Sequence, residues 1–473
     1  MSISKKDLIK KITYQRKNFW KEYDKTERQT AFTFCDPYRD FIGRCKTERE
    51  TIAYFKEQFK SCGFSEIPSE KQSKKYYAIS RNKSGAFAVI GNRPISEGIN
   101  LIVSHIDSPR VDLKQNPLSE DSETKLGMMK THYYGGVKKY QWFSTPLALH
   151  GTFVKDGGEV ISVSIGEEED DPVFVMPDLL PHLAHKEQYS KKIGDAIDAS
   201  KMNLIFNSIP YLEDEETANA VKLNALLLLH EKYGICEEHF LSAELELVPA
   251  GKARDAGLDK SMILGYGQDD RVCAYTSAQA LLELDENNLD KTAIVYLADK
   301  EEVGSEGNTG AKSAFIIDFI ADLLKQNKEN SDSTTLRKAL LRSHIISADV
   351  NAAINPNFPS VHEKDNAVHL GFGVSITKYT GSRGKGGSND ANAEFNARLI
   401  SIFNKAGVNW QTGALGKVDE GGGGTIAKFM AEYGAEVIDS GPGVLGMHSL
   451  YELTSKADIY STFKGYKAFF EYV

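Results

Sequence analysis

Three nearly unbroken apolar runs in the C-terminal half of the chain limit its fold more than any other feature. They are TAIVYLA (292–298), HIISADV (344–350) and AEVIDS (435–440). A strand with one wet face alternates apolar with polar residues, whereas a run without alternation marks a strand covered on both sides. Helix-length segments lie around these runs, at 270–284, 311–326, 389–405 and 425–433. Such strand–helix alternation predicts an α/β fold: a mostly parallel central sheet flanked by helices.

The upstream texture differs. Residues 5–22 and 47–62 carry Lys, Glu, Phe and Ile at roughly helical spacing, so the first 63 residues read as helical. The short runs YYAIS, AFAVI and INLIVS follow, bounded by Gly, Asn and Pro as strands are. From 111 to 249 the segments TFVKDGGEVISVSIG and AELELV alternate, as half-buried antiparallel strands do. Acidic runs at 167–171 and 213–216 read as solvated loops. The economical organisation is one α/β domain, 1–110 and 250–473, interrupted by an inserted β-rich domain, 111–249.

Charge and cysteine usage remove several classes of function. The 473 residues hold 57 Lys and Arg against 66 Asp and Glu, a net charge of −9. That balance gives no general attraction for nucleic acid or an anionic membrane. Apolar runs such as 225–229 fall far short of the ~20 residues that span a bilayer. The opening MSISKKDLIKKITYQRKNFW lacks the apolar core and cleavage site of a secretory signal. Cys35, Cys45, Cys62, Cys236 and Cys273 are odd in number and form no CxxC pair. They read as reduced thiols of a cytoplasmic protein, not as a disulfide scaffold or a thiolate zinc site. An intracellular enzyme is expected.

Functional side chains of an open α/β sheet gather at the carboxyl ends of its strands. INLIVS runs into His105 and Asp107, TAIVYLA into Glu301 and Glu302, and HIISA into Asp349; the last core strand leads to His448, and the turn GYGQ delivers Asp269 and Asp270. In an extended His-x-Asp both side chains share a face, so Asp107 can fix the imidazole of His105 while that ring binds a metal. Adjacent Glu301 and Glu302 repel one another, and burying both without a cation would be costly. Taken singly, His105 fits an interior hydrogen-bonded histidine, the glutamates a charged loop, and Asp270 a helix N-terminal acid. Together, His105, Asp269, Glu302, Asp349 and His448 form an N/O donor set suited to two zinc or similar divalent ions. One bridging carboxylate would hold such ions ~3.5–4 Å apart, leaving a second carboxylate free for acid–base work.

These stretches resemble the aspartyl aminopeptidase / aminopeptidase I family of dinuclear zinc exopeptidases. The matching segments are VSHIDSPR, GQDDR, DKEEVGS, SADVNAAINPN and LGMHSLYE, in the family's order. The resemblance implies a catalytic α/β domain with a β-rich dimerisation domain inserted after the first ligand strand. It implies Asp269 as bridging ligand, His105 and Asp349 completing one zinc site, and Glu302 and His448 completing the other. Glu301 matches the general acid/base and Asp107 the carboxylate supporting His105. The cofactor would be two divalent ions per subunit, zinc first, with manganese and cobalt as alternatives. The implied partners are peptides with a free N-terminus and further copies of the chain, as dimers assembling into a dodecamer.

LLPHLAH resembles a loop whose histidine, here His182, approaches a neighbouring subunit's active site. Lys378, in VSITKYTG, falls where relatives carry a lysine near the substrate side chain, although GSRGKGGSNDANAEF departs from the aspartyl-type pattern. The glycines of DEGGGGTI lack the following Lys of a phosphate-binding loop, and read instead as a flexible loop beside the active site. Two rival functions share these motifs. One is a two-metal deacylase of N-acyl amino acids, which prefers a blocked amine. The other is a catalytically silent assembly component that keeps the fold without the metals.

Overall fold

Alternate residues of the middle strands face opposite layers, as the period of a strand requires. In Asn100–His105, Ile102 packs into one apolar core while Leu101 and Val103 enter the other. In Ala293–Ala298, Val295 and Leu297 face the first core, and Ile294 and Tyr296 the second. Every residue of both strands is buried, which explains why neither shows polar alternation. The computed structural model describes residues 4–70, 72–212 and 218–473; the acidic run at 213–216 lies outside the described residues.

The central sheet has nine strands, in the order Ser65–Glu66, Lys75–Ser80, Ser84–Val89, Ala293–Ala298, Asn100–His105, His344–Ala348, Glu436–Gly441, Val374–Thr377 and Trp410–Thr412. Five of its eight junctions are parallel, including all three among the four middle strands. Helices Lys25–Arg44, Glu48–Ser61, Gln268–Leu282, Ala393–Lys405 and Lys456–Tyr472 cover one face, and Phe315–Gln326, Ser333–Leu341 and Ala427–Ala431 the other. The expected mostly parallel, helix-flanked sheet is therefore present. Its register matters for function. Ala298 pairs with His105 and Ser347 with Val103, so the acids after each strand emerge level with His105.

Beyond Arg110 the chain builds a second sheet before it returns. Six strands run in the order Val160–Ile165, Leu147–Val154, Glu244–Pro249, Arg110–Glu120, Gly127–Tyr134 and Leu204–Asn207, all antiparallel to their neighbours. The longest departure from the β-rich reading is the helix Ala220–Tyr233, which packs on the core of this sheet through Leu226, Leu229 and Tyr233. The apolar run at 225–229 gave no warning, because periodicity alone cannot tell a short buried strand from a helix segment. A third, five-stranded sheet joins Arg254–Ala256, Met262–Gly265, Glu452–Ser455, Gly443–Leu445 and Asn351–Ala352. It ties the segment returning from the insert to the loop that bears His448.

The six-stranded sheet is fastened to helix Glu48–Ser61 through a buried histidine. Helix Glu48–Ser61 begins with a capping box, in which Glu50 and Thr47 satisfy each other's free N–H groups. The other oxygen of Glu50 lies 2.7 Å from His150 Nδ1, on strand Leu147–Val154, and His150 Nε2 lies 2.9 Å from Glu167. Lys46 donates to the same Glu167 oxygen at 2.6 Å. Burial by itself would lower the pKa of His150; the two carboxylates overcome it and raise the value to about 8. The folded value exceeds that of a free imidazole, about 6.5. Stability from this contact is therefore complete below about pH 6.5 and fades as pH rises through about 8, a loss of about 2 kcal/mol. Thermal unfolding of wild type and His150→Gln should show a melting-temperature gap that is wide near about pH 6 and closes by about pH 9.5. A gap that stays constant over this range would remove the ion pairs from the account.

Candidate metal centre and active site

Five segments deliver ionisable side chains to one cleft of about 230 Å³. His105 ends strand Asn100–His105, and Asp349 directly follows His344–Ala348. Glu301 and Glu302 open the short turn Glu301–Val303 beyond Ala293–Ala298. His448, in a left-handed conformation with φ 64°, follows Gly443–Leu445. Asp269 lies in the first turn of Gln268–Leu282. Gly267 places it: φ is +68°, and a Cβ there would collide with the guanidinium of Arg271. That guanidinium is fully buried and donates to the carbonyls of Lys46, Tyr266 and Gly267, which fixes the turn.

Asp269 occupies the middle. Its Oδ1 is 3.2 Å from His105 Nε2, and its Oδ2 is 3.2 Å from His448 Nε2. Glu302 Oε1 is 3.3 Å from the same nitrogen of His448. Donor atoms of His105, Asp269 and Asp349 lie within 4.8 Å of one another; so do those of Asp269, Glu302 and His448, and those of His105, Glu301 and Glu302. All five expected ligands and Glu301 thus share the cleft, with Asp269 common to two groups.

A second layer holds these side chains still. Asp107 is buried; its Oδ1 accepts from the Glu301 N–H at 3.1 Å and lies 3.4 Å from His105 Nδ1. Its Oδ2 accepts from the Glu302 N–H at 3.2 Å and from the Tyr134 hydroxyl at 2.8 Å. Glu452 accepts from the backbone N–H of Asp269 at 2.9 Å through one oxygen, and from that of His448 at 2.8 Å through the other. Burial first, then the charge of Asp269, raises Glu452 to about 8. Sequence reasoning overlooked Tyr134 and Glu452. Glu452 closes the stretch LGMHSLYE, but nothing in its spacing distinguishes a buried acceptor from a surface acid.

The electrostatics call for a cation. Burial raises Glu301 to about 7, with repulsion from Glu302, Asp107 and Asp269 adding to it against the pull of His105. Burial likewise raises Glu302, and raises Asp349 well above the usual carboxylate range with help from Asp270. His448 moves the other way: burial would lower it, but the carboxylates of Asp269 and Glu302 carry it to about 11. Asp269 Oδ1 and Glu302 Oε1 are buried without a hydrogen bond among the described residues. Crowded acids, orphaned oxygens and two imidazoles fit divalent ions bound through nitrogen and oxygen.

Three other candidates lie elsewhere. Asp270 lies in the first turn of Gln268–Leu282, the place of a helix N-terminal acid, but is wholly buried, and burial raises its carboxyl well above the ordinary range. Lys378 is not among the residues lining the cleft; its ammonium pairs with Asp390 at 2.8 Å, and Asp390 also binds Lys385. His182 sits in an exposed segment of the insert, outside this chain's own cleft. The remaining walls of the cleft are Val350, Asn351, Thr380, Leu415, Met447, Thr425 and the glycines 422–424.

A family model described as aminopeptidase I zinc metalloprotease (M18) matches residues 41–470. The chain belongs to the M18 aminopeptidase family. This M18 aminopeptidase is 50% identical to the probable M18 family aminopeptidase 1 of Clostridium acetobutylicum, over 98% of this chain and 99% of that protein. It is 26% identical to the aspartyl aminopeptidase of Caenorhabditis elegans, over 91% and 94% of the two chains. Among solved structures, the Thermotoga maritima M18 aminopeptidase superposes with a TM-score of 0.91 at 44% identity, covering 98% of this chain and all of the other. The mApe1 dodecamer of S. cerevisiae shares the fold at 23% identity and a TM-score of 0.74, covering 94% and 97%. The M18 aminopeptidase is accordingly a zinc metallopeptidase, and the α/β fold and family expected from its motifs are borne out.

Proposed function

We propose that this M18 aminopeptidase removes single N-terminal residues from peptides with two zinc ions per chain. One observation carries the reading: the carboxylate of Asp269 turns one oxygen to His105 and the other to His448, at 3.2 Å each. Asp269 is then the bridging ligand, with His105 and Asp349 completing one site and Glu302 and His448 the other. Bound zinc would polarise the scissile carbonyl, acidify the attacking water and offset charge developing on the oxygen.

The chain supplies the rest. Glu301, poised near neutrality and fixed at its backbone by Asp107, takes the proton of the attacking water and returns it to the leaving amine. Asp107 orients His105 through Nδ1, its backbone carbonyl at 3.0 Å and its Oδ1 at 3.4 Å, so that Nε2 faces the ligand set.

The walls point to uncharged N-terminal side chains. Val350, Leu415, Met447 and Thr380 line the cleft, with no lysine or arginine among its described lining residues. An aspartyl side chain would be desolvated there beside four carboxylates, with no cation of its own. A leucine anilide should exceed an aspartate anilide in kcat/KM by about 100-fold, and N-acetyl-leucine anilide should be inert. Zinc titration of the metal-free protein should saturate at two ions per chain. Saturation at one ion, or preference for the blocked amine, would overturn the reading in favour of another hydrolase.

We assign 1–110 together with 250–473 to one catalytic domain, and the insert, 111–249, to dimerisation. Exposed Leu227 and Leu228 on Ala220–Tyr233 offer apolar surface for it, and the mApe1 relative is a dodecamer. In such an assembly exposed His182 would approach a neighbouring subunit's cleft. A cytoplasmic setting agrees with five unpaired cysteines and with the absence, among the described residues, of a helix long and apolar enough to cross a membrane. A monomer in sedimentation at micromolar concentration would count against the assembly.

A further inference from the structure

We infer that the turn Tyr134–Gly136, contributed by the inserted sheet, is a positioning element for the metal centre, one residue steering each metal-binding imidazole. The inference rests on the two-zinc reading above. Strand Gly127–Tyr134 ends behind the cleft, its last residue hydrogen-bonded to Asp107. The Tyr134 hydroxyl donates to Asp107 Oδ2 at 2.8 Å, and Asp107 holds His105 Nδ1 through its backbone carbonyl at 3.0 Å and its Oδ1 at 3.4 Å. Two residues on, the Gly136 carbonyl lies 3.2 Å from His448 Nδ1 and accepts its proton. With Nδ1–H committed to that carbonyl, the lone pair of His448 Nε2 is turned toward Asp269 and Glu302. Both imidazoles are thus aimed from behind by one short piece of the insert.

Steric fit supports the assignment. A Cβ on Gly136 would lie 3.1 Å from His448 Nδ1, so only glycine leaves the ring where it is. Gly135, with φ +71°, sits against Glu302 and Pro109, where a Cβ would come within 3.3 Å of the Glu302 side chain. Tyr134 is anchored independently of its hydroxyl: the Arg110 guanidinium lies 3.9 Å from its ring centroid. Arg110 is itself held among Asp112, Glu246 and Glu48. This charged network, shared between Glu48 and Arg110 on one side and Asp112 and Glu246 on the other, fixes the ring, and the ring aims the hydroxyl.

Two substitutions separate positioning from folding. Tyr134→Phe keeps the ring under Arg110 and removes only the hydrogen bond. Gly136→Ala requires no change in backbone conformation and displaces the His448 ring by a few tenths of an ångström. Outer partners of metal-ligating histidines typically change metal affinity or activity 10- to 100-fold. Each variant should weaken zinc binding about 10-fold in competition with a chromophoric chelator, lower kcat about 10-fold and leave KM near wild type. The melting temperature of the metal-free protein should be unchanged. Tyr133→Phe, on the exposed side of the same strand, serves as the control at wild-type affinity. Wild-type zinc affinity and kcat in either variant would overturn the assignment of that residue. If the wild-type protein took up no zinc, this inference and the metal reading would fall together, whereas zinc-replete wild type with unaffected variants sinks this inference alone.

Discussion

Glu301→Gln should lower kcat on a leucine anilide by about 10²- to 10⁴-fold while leaving zinc content at the wild-type value. The amide matches the carboxylate in shape, and the Glu301 N–H still donates to Asp107. What it lacks is the capacity to accept a proton from water and return it to the amine. Glu301 belongs to neither of the two groups that share Asp269, which is why metal uptake should survive. Its place beside His105 and Glu302 in the third group makes elemental analysis the deciding control. If zinc falls with activity, Glu301 is a ligand; if full turnover survives, it is not the base.

Asp269→Asn should be more damaging still, and in a different way. Asp269 faces both imidazoles, so its replacement touches both proposed metal sites at once. An amide nitrogen turned toward one histidine offers a donor where a metal needs an acceptor. Metal-assisted charge stabilisation is worth several kcal/mol, so kcat/KM should fall by at least about 10³-fold. Zinc should also cease to stabilise the fold. A ligand at 100 times its Kd adds about 2.7 kcal/mol to a folded protein, so wild type should melt later as zinc is added and Asp269→Asn should not. A zinc-dependent rise in the variant's melting temperature would refute the bridging role.

The parts of this molecule legible in its sequence are those where chemistry and periodicity coincide. The strand INLIVS reads as buried because both of its faces are, and His105 stands out because an imidazole at the end of such a run is expensive to bury alone. The same logic brought out Asp349 and the pair Glu301–Glu302. Short strands toward one edge were harder: Val374–Thr377 and Trp410–Thr412 are too short for a pattern to register. Helix Ala220–Tyr233 was missed because its apolar residues run nearly all round, so no stripe marks its period. Supporting residues failed for another reason. Tyr134 and Glu452 matter through where their oxygens point, and that depends on contacts with residues remote in the chain, Asp107 for one and Asp269 for the other. Lys378 shows the converse: placed by resemblance near the substrate, it is committed to Asp390.

The chain enters the second sheet at Arg110, just past His105, and after leaving it passes through Met262–Gly265, just ahead of Asp269. Its excursion therefore departs from and lands on the machinery itself. Such a segment is not an interchangeable cassette. A chimaera that borrowed the insert of a distant relative would inherit a foreign backing for both imidazoles, and its designer would have to transplant Arg110, Tyr134 and the paired glycines as one block.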